Sequence, residues 1–196
     1  MKRFVTTFAG LFLAQTLTFA AGKEAPDFTG KDINGKTHKL ADYKGKIVVL
    51  EAYNLDCPFC ANHYKTGAMQ ELQNWAQSKG VVWLLVNSSN PKSSSYRDAA
   101  QAKKEMAKNK IKATYIDDSS GEIGTAFALK TTPHMVVLDK EGKIAYNGAI
   151  DDKAEAEGDP RTARNYVREA IEKLQAGQLV QVVNTKPYGC GIKYSN

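Results

Sequence analysis

Residues 47–60 read IVVLEAYNLDCPFC, and the chain's architecture is legible from this stretch outward. Ile47 to Leu50 is a continuous apolar, largely β-branched run following Gly45. Its length and lack of alternation suit a central strand covered on both faces. From Pro58 onward the period changes. Ala61, Tyr64, Ala68, Leu72, Trp75 and Ala76 recur at three- and four-residue steps, forming one face of a helix over residues 58–78 that ends near Gly80. Val81 to Val86 is a second buried strand. A strand, a helical crossover and a second strand imply parallel pairing. The Cys57-Pro58-Phe59-Cys60 pair therefore falls where a strand hands over to a helix.

The flanks extend this unit. Lys23 to Asp32, with Pro26 and Gly30, reads as an extended lead-in, and Asn34-Gly35 is a hairpin turn signal before Thr37 to Leu40. Downstream, Ser88 to Ser95 is a loop and Tyr96 to Lys110 a Lys- and Ala-rich helix. Ala113 to Ile116 is a short strand, and Gly121 to Leu129 a short helix. Met135 to Leu138 and Lys143 to Ala149 are strands joined by a tight turn. Thr162 to Gln175 is an amphipathic helix stopped by Gly177. The expected architecture is α/β: a mixed central sheet flanked by helices, with an N-terminal β-hairpin extension. No repeat or linker divides it. Residues 21–196 form one domain, in which residues 178–196 are a mobile C-terminal tail carrying Cys190.

The start of the chain reads differently. Lys2 and Arg3 precede an apolar run, Phe4 to Phe19, with no acidic residue, and Thr18-Phe19-Ala20 offers small residues for cleavage. This is the pattern of a signal peptide over residues 1–20, and the run is too short and too diluted by Gln15 and Thr for a membrane anchor. The expected location is exported and periplasmic. Losing Lys2 and Arg3 takes 27 basic residues to 25 against 21 acidic ones, a formal charge of +4. That charge is spread along the chain, and Lys103 to Lys112 is interrupted by Glu105 and apolar residues. A nucleic-acid partner is not expected.

The chain has three cysteines, too few for a disulfide scaffold in a protein with room for a core. A thiol attacks as thiolate, and Cys57 precedes a helix whose backbone N–H groups and dipole stabilise an anion. Pro58 stands at the first helical position, where its missing N–H costs nothing. Cys60 lies one turn on and can close a small, easily reduced ring with Cys57. Such a loop is too small to stabilise a fold by chain entropy, so the pair reads as redox-active instead of structural. Two alternatives use the same residues. One is a thiol-dependent peroxide reductase with Cys60 or Cys190 as resolving thiol. The other is a copper- or zinc-binding module, since Cys57, Cys60 and His63 have C-x2-C-x2-H spacing and Cys190 offers a fourth ligand. The primary reading assigns no metal and no cofactor.

These residues resemble the thioredoxin superfamily, in its branch of exported thiol–disulfide oxidoreductases and redoxins of the AhpC/TSA type. Ala25-Pro26-Asp27-Phe28, Asn34-Gly35-Lys36, Tyr43-Lys44-Gly45-Lys46 and Val48-Val49-Leu50 look like its lead-in, and Thr131-Thr132-Pro133 resembles its cis-proline segment. The resemblance implies that Thr132 and Pro133 lie against the cysteine pair, with the Thr132 backbone turned to bind an extended substrate chain. It implies too that Glu51, six residues before Cys57, is a buried carboxylate accepting the Cys60 proton. The candidate catalytic residues are thus Cys57, Cys60 and Glu51, with Thr132 and Pro133 binding substrate and Cys190 as a third redox thiol. The expected partners are disulfide-bearing client proteins or thiols and a membrane-bound or soluble thiol electron donor. The sequence departs from the pattern at Asp56, where reductases carry Trp; its charge is expected to raise the pKa of Cys57. Asn54 stands where peroxiredoxins carry Thr or Ser.

Overall fold

Among the residues described by the structure, a computed structural model covering 22–195, ten strands and five α-helices follow one another. They are β1 (Lys23–Glu24), β2 (Thr29–Asp32), β3 (Thr37–Lys39), β4 (Val48–Ala52), α1 (Pro58–Lys65), α2 (Ala68–Ser78) and β5 (Val82–Asn87). Then come α3 (Ala99–Lys108), β6 (Thr114–Asp117), α4 (Glu122–Ala126), β7 (Thr131–Thr132), β8 (Met135–Leu138), β9 (Lys143–Gly148), α5 (Tyr166–Gln175) and β10 (Cys190–Gly191). The proposed signal peptide at residues 1–20 lies outside the described residues. No helix among the described residues is long and apolar enough to cross a membrane.

Eight strands form one mixed sheet in the order β1-β9-β8-β4-β5-β6-β2-β3. The pairs β4–β5 and β5–β6 are parallel, as the helical crossovers require, whereas β4–β8 and β8–β9 are antiparallel. The Asn34-Gly35 turn closes the expected hairpin, with Thr29 opposite Lys39 and Gly35 at φ +83°. Every residue of β4 is buried. Its alternation sends Val48, Leu50 and Ala52 to one apolar layer with Phe28, Leu84, Ile116 and Phe127. Val49 and Tyr53 face the other layer, with Met69, Leu72, Leu85 and Ile171. Glu51 shares the face of Val49, which aims it at α1 and α2 instead of solvent.

Three helices differ from the sequence expectation. The single helix over residues 58–78 is two. The Thr66 hydroxyl bonds back to the carbonyls of Asn62 and His63, and Gly67 adopts φ +80° before α2 begins. The apolar period survives the break, so the face is continuous although the backbone is not. Helix α3 starts at Ala99 because Asp98 caps it, accepting from the Gln101 amide at 2.8 Å while the Gln101 side chain accepts from the Asp98 amide. Helix α5 starts at Tyr166 behind an Asn165 cap, and Pro160–Thr162 forms a separate 3-10 turn.

The tail is the largest correction. It is docked along its length: Asn147 N donates to Val183 O at 3.0 Å, Ile192 N to Lys130 O at 3.2 Å, and β10 pairs with β7. Gly189 beside Cys190 serves close packing here, not mobility: a Cβ there would meet the Thr132 carbonyl.

Candidate active site

Cys57 is the N-cap residue of α1 with Pro58 behind it, and its side chain is buried where β4, α1 and the Thr132–Pro133 segment meet. The Thr132–Pro133 peptide bond is cis, as the resemblance implied. The Cys57 thiol lies 2.9 Å from the Thr132 carbonyl oxygen, and the Cys190 backbone N–H points at the same sulfur from 3.3 Å. Burial acts to raise the pKa of Cys57. Hydrogen bonds from the Cys190 thiol, the Cys60 backbone N–H, Thr132 and the Cys190 backbone N–H overcome it and hold the thiol below its usual range. The buried Thr132 hydroxyl has no other partner, which leaves it free to donate to a Cys57 thiolate.

Cys60 is fully buried and titrates in the opposite direction. Desolvation, and next the nearby Glu51 charge, push its thiol well above the ordinary range. The two sulfurs of one pair are thus differentiated: one ionises more readily than an ordinary thiol, the other less readily. Glu51 is wholly buried, and burial raises its carboxyl to about 7 despite three donors. These are the Tyr64 hydroxyl at 2.8 Å, the Trp83 indole at 2.8 Å and the Gln73 amide at 3.2 Å. A carboxyl poised near neutrality beside a thiol that must ionise is suited to accepting its proton.

Asp56 does not act on Cys57 as expected. Its carboxylate turns outward to Arg97 at 2.7 Å, and the guanidinium also meets Glu105 at 3.1 Å. The pKa of Cys57 is lowered, and the largest influences on it are burial and its hydrogen-bond partners, not the Asp56 charge. Asn54 is engaged locally, its side chain accepting from the Asp56 N–H at 2.9 Å.

His63, read as a possible ligand beside the cysteines, points away from them. Its Nε2 is 3.2 Å from the Tyr188 hydroxyl and 3.8 Å from Asp151, and Tyr188 donates to Asp151 at 2.6 Å. Burial lowers the His63 pKa to about 4, so the imidazole is neutral at physiological pH. Among the described residues, no group of three or more His, Cys, Asp or Glu is arranged to hold a metal ion. His134 is occupied structurally, accepting from the Lys130 N–H at 3.0 Å and meeting Asn147 at 2.7 Å.

Sequence reasoning missed the donors around Glu51 and the Tyr188–Asp151–His63 cluster. Tyr64 and Trp83 carried only an apolar signal in the sequence, and their polar ends are used where three elements converge.

The AhpC/TSA family model matches residues 21–147. The chain is 30% identical over 139 residues to the thiol-disulfide oxidoreductase ResA of Geobacillus thermodenitrificans, spanning 71% of this chain and 74% of that protein. Among solved structures, an uncharacterized conserved protein from Geobacillus kaustophilus superposes with a TM-score of 0.75 at 25% identity, covering 91% of this chain and 94% of the other. A thiol:disulfide interchange protein DsbE from Chlorobium tepidum gives 0.53 at 25% identity, covering 66% of this chain and 85% of the other.

Proposed function

Since the chain belongs to the AhpC/TSA family and is a thiol–disulfide oxidoreductase, we propose that Cys57 is its attacking thiolate, Cys60 its resolving thiol and Glu51 the acceptor of the Cys60 proton. One observation carries this assignment: the cap-position sulfur is held below the usual thiol range while its partner one turn on is held above it. Acting as a reductant, the Cys57 thiolate attacks a client disulfide and forms a mixed disulfide, releasing one client thiolate. Cys60 then transfers its proton toward Glu51 and attacks Cys57, closing Cys57–Cys60 and freeing the second client thiolate. Thr132 and Pro133 line the sulfur and bind the client backbone.

The substrates in this reading are disulfide-bearing proteins or thiols, and a membrane-bound or soluble thiol donor restores the dithiol. The basic and apolar N-terminus supports an exported, periplasmic enzyme, where protein disulfides are available as substrates. The test is reduction of a model protein disulfide by the reduced chain. Cys57→Ser is expected to abolish it, and Cys60→Ser/Cys190→Ser, which leaves no second thiol to resolve the intermediate, to accumulate Cys57-linked mixed disulfides. Full activity in Cys57→Ser, or loss of the trapped species, would overturn the assignment.

A further inference from the structure

The tail places a second cysteine directly over the first. Strand β10 pairs antiparallel with β7 so that Cys190 stands opposite Thr132. This is the edge on which an extended client would be hydrogen-bonded. The Cys190 N–H reaches the Cys57 sulfur at 3.3 Å, and the Cys190 thiol is among the groups that hold the Cys57 pKa down.

The chain on both sides of Cys190 is anchored. Upstream, the Thr185 hydroxyl accepts from the Ala149 N–H at 2.9 Å, and the Tyr188 hydroxyl bonds Asp151. Downstream, the Asn90 side chain donates to the Lys193 carbonyl at 3.0 Å, and the Tyr194 hydroxyl to the Leu129 carbonyl at 2.8 Å. Between these anchors Gly189 runs at φ +118°, so close to β7 that a Cβ there would sit 2.1 Å from the Thr132 carbonyl oxygen. Only glycine permits that approach. With the tail in place Cys57 is 1% exposed.

We propose that the tail is a tethered substrate: β10 occupies the client-binding edge, and Cys190 exchanges with Cys57 through a reversible internal disulfide. The inference rests on the reading of Cys57 as the attacking sulfur. In the oxidised chain the Cys190 thiolate attacks the Cys57 sulfur, the Cys57–Cys60 bond breaks, Cys57–Cys190 forms, and Cys60 leaves as thiolate to take up the proton Cys190 released. One disulfide is present before and after, so no outside oxidant or reductant is consumed. In the reduced chain burial, and then the Cys57 sulfur, raise the Cys190 thiol to about 11. The contribution from a Cys57 thiolate disappears once that sulfur is in a disulfide, so Cys190 ionises more readily when it has a bond to attack.

Cys60→Ser isolates the step. Oxidised glutathione converts Cys57 to a mixed disulfide, and attack by Cys190 expels glutathione as its thiolate. After acid quenching and alkylation, peptide mass mapping is expected to find Cys57 linked to Cys190 within one chain and no retained glutathione. Adding Gly189→Val, which forces the tail off Thr132, is expected to slow closure by about ten-fold or more, because the thiol loses its preset position. Glutathione retained on Cys57 with Cys190 unmodified, or disulfide-linked dimers, would overturn the proposal, as would closure at an undiminished rate with Val at 189. The wild-type chain's reduction of a protein disulfide is measured alongside. If it proceeds while Cys60→Ser fails to close, this inference alone is lost; if it is absent, the reading of the site itself is lost.

Discussion

The Trp83 indole N–H donates to the buried Glu51 carboxylate at 2.8 Å, fixing a titratable group on the helix-facing side of the central strand, close enough for its charge to act on Cys60. Trp83 stands on β5 opposite Val49 in the parallel ladder, so the register of β4 against β5 sets the position of the carboxyl.

Glu51→Gln removes the proton acceptor and keeps the shape. With the carboxyl near 7, resolution by Cys60 in the wild-type chain is expected to accelerate as pH rises through neutrality. The variant is expected to resolve mixed disulfides about 100-fold more slowly, with that inflection gone. Stopped-flow turnover against pH checks this. Unchanged turnover across the range would remove Glu51 from the proton path.

The same carboxyl links stability to pH. Its native pKa of about 7 lies above the ~4.3 of an unfolded chain, so between those values the native state binds more protons. Its contribution is complete below the unfolded value and is lost as pH rises through about 7. The loss is on the order of 3 kcal/mol. Urea denaturation at stepped pH should show wild-type stability declining across this window and Glu51→Gln declining much less. Parallel curves for the two proteins would contradict the burial-driven shift.

Much of this site was visible in the sequence because it is local. Strand, turn, Pro58 and helix period fix where Cys57 and Cys60 stand relative to one another, and Asn34-Gly35 fixes the hairpin. The break at Gly67 was hidden because the apolar period runs through it; only the backbone records it, in a left-handed glycine. The docking of the tail is hidden for a related reason. Its bonds go to Asn147, Lys130, Thr132 and Leu129, partners that no local pattern in residues 178–196 announces. At Asp56, adjacency in sequence does not make its charge act on Cys57, because the carboxylate turns to Arg97.

Asp56→Asn is therefore expected to leave the Cys57 titration where it is. The lost pair with Arg97 is partly solvated, its carboxylate 43% exposed, and its removal should cost under about 1 kcal/mol. Thiolate absorbance against pH, measured in a Cys60→Ser/Cys190→Ser background so that one thiol reports, decides it. A clear fall in the Cys57 pKa on neutralising Asp56 would restore the charge effect expected from the sequence.

Tyr188→Phe tests what holds the tail over Cys57. The Tyr188 hydroxyl donates to buried Asp151 at 2.6 Å and approaches His63, while its ring lies 5.9 Å from that of Phe59. Phe preserves the ring packing and deletes the donor, leaving a buried carboxylate short of a partner at a cost of about 1–3 kcal/mol. Part of that cost is recovered by lifting the tail, which exposes Asp151 to water and uncovers Cys57. Alkylation of Cys57 by iodoacetamide should therefore quicken in the variant, while the Cys57 pKa drifts upward as the Cys190 thiol and N–H withdraw from the sulfur. Comparing Tyr188→Phe with a chain truncated before Gln178 gives the upper limit of accessibility. Alkylation as slow in Tyr188→Phe as in the wild type, with the truncation fast, would locate the anchor elsewhere along the tail, at Thr185 or Tyr194.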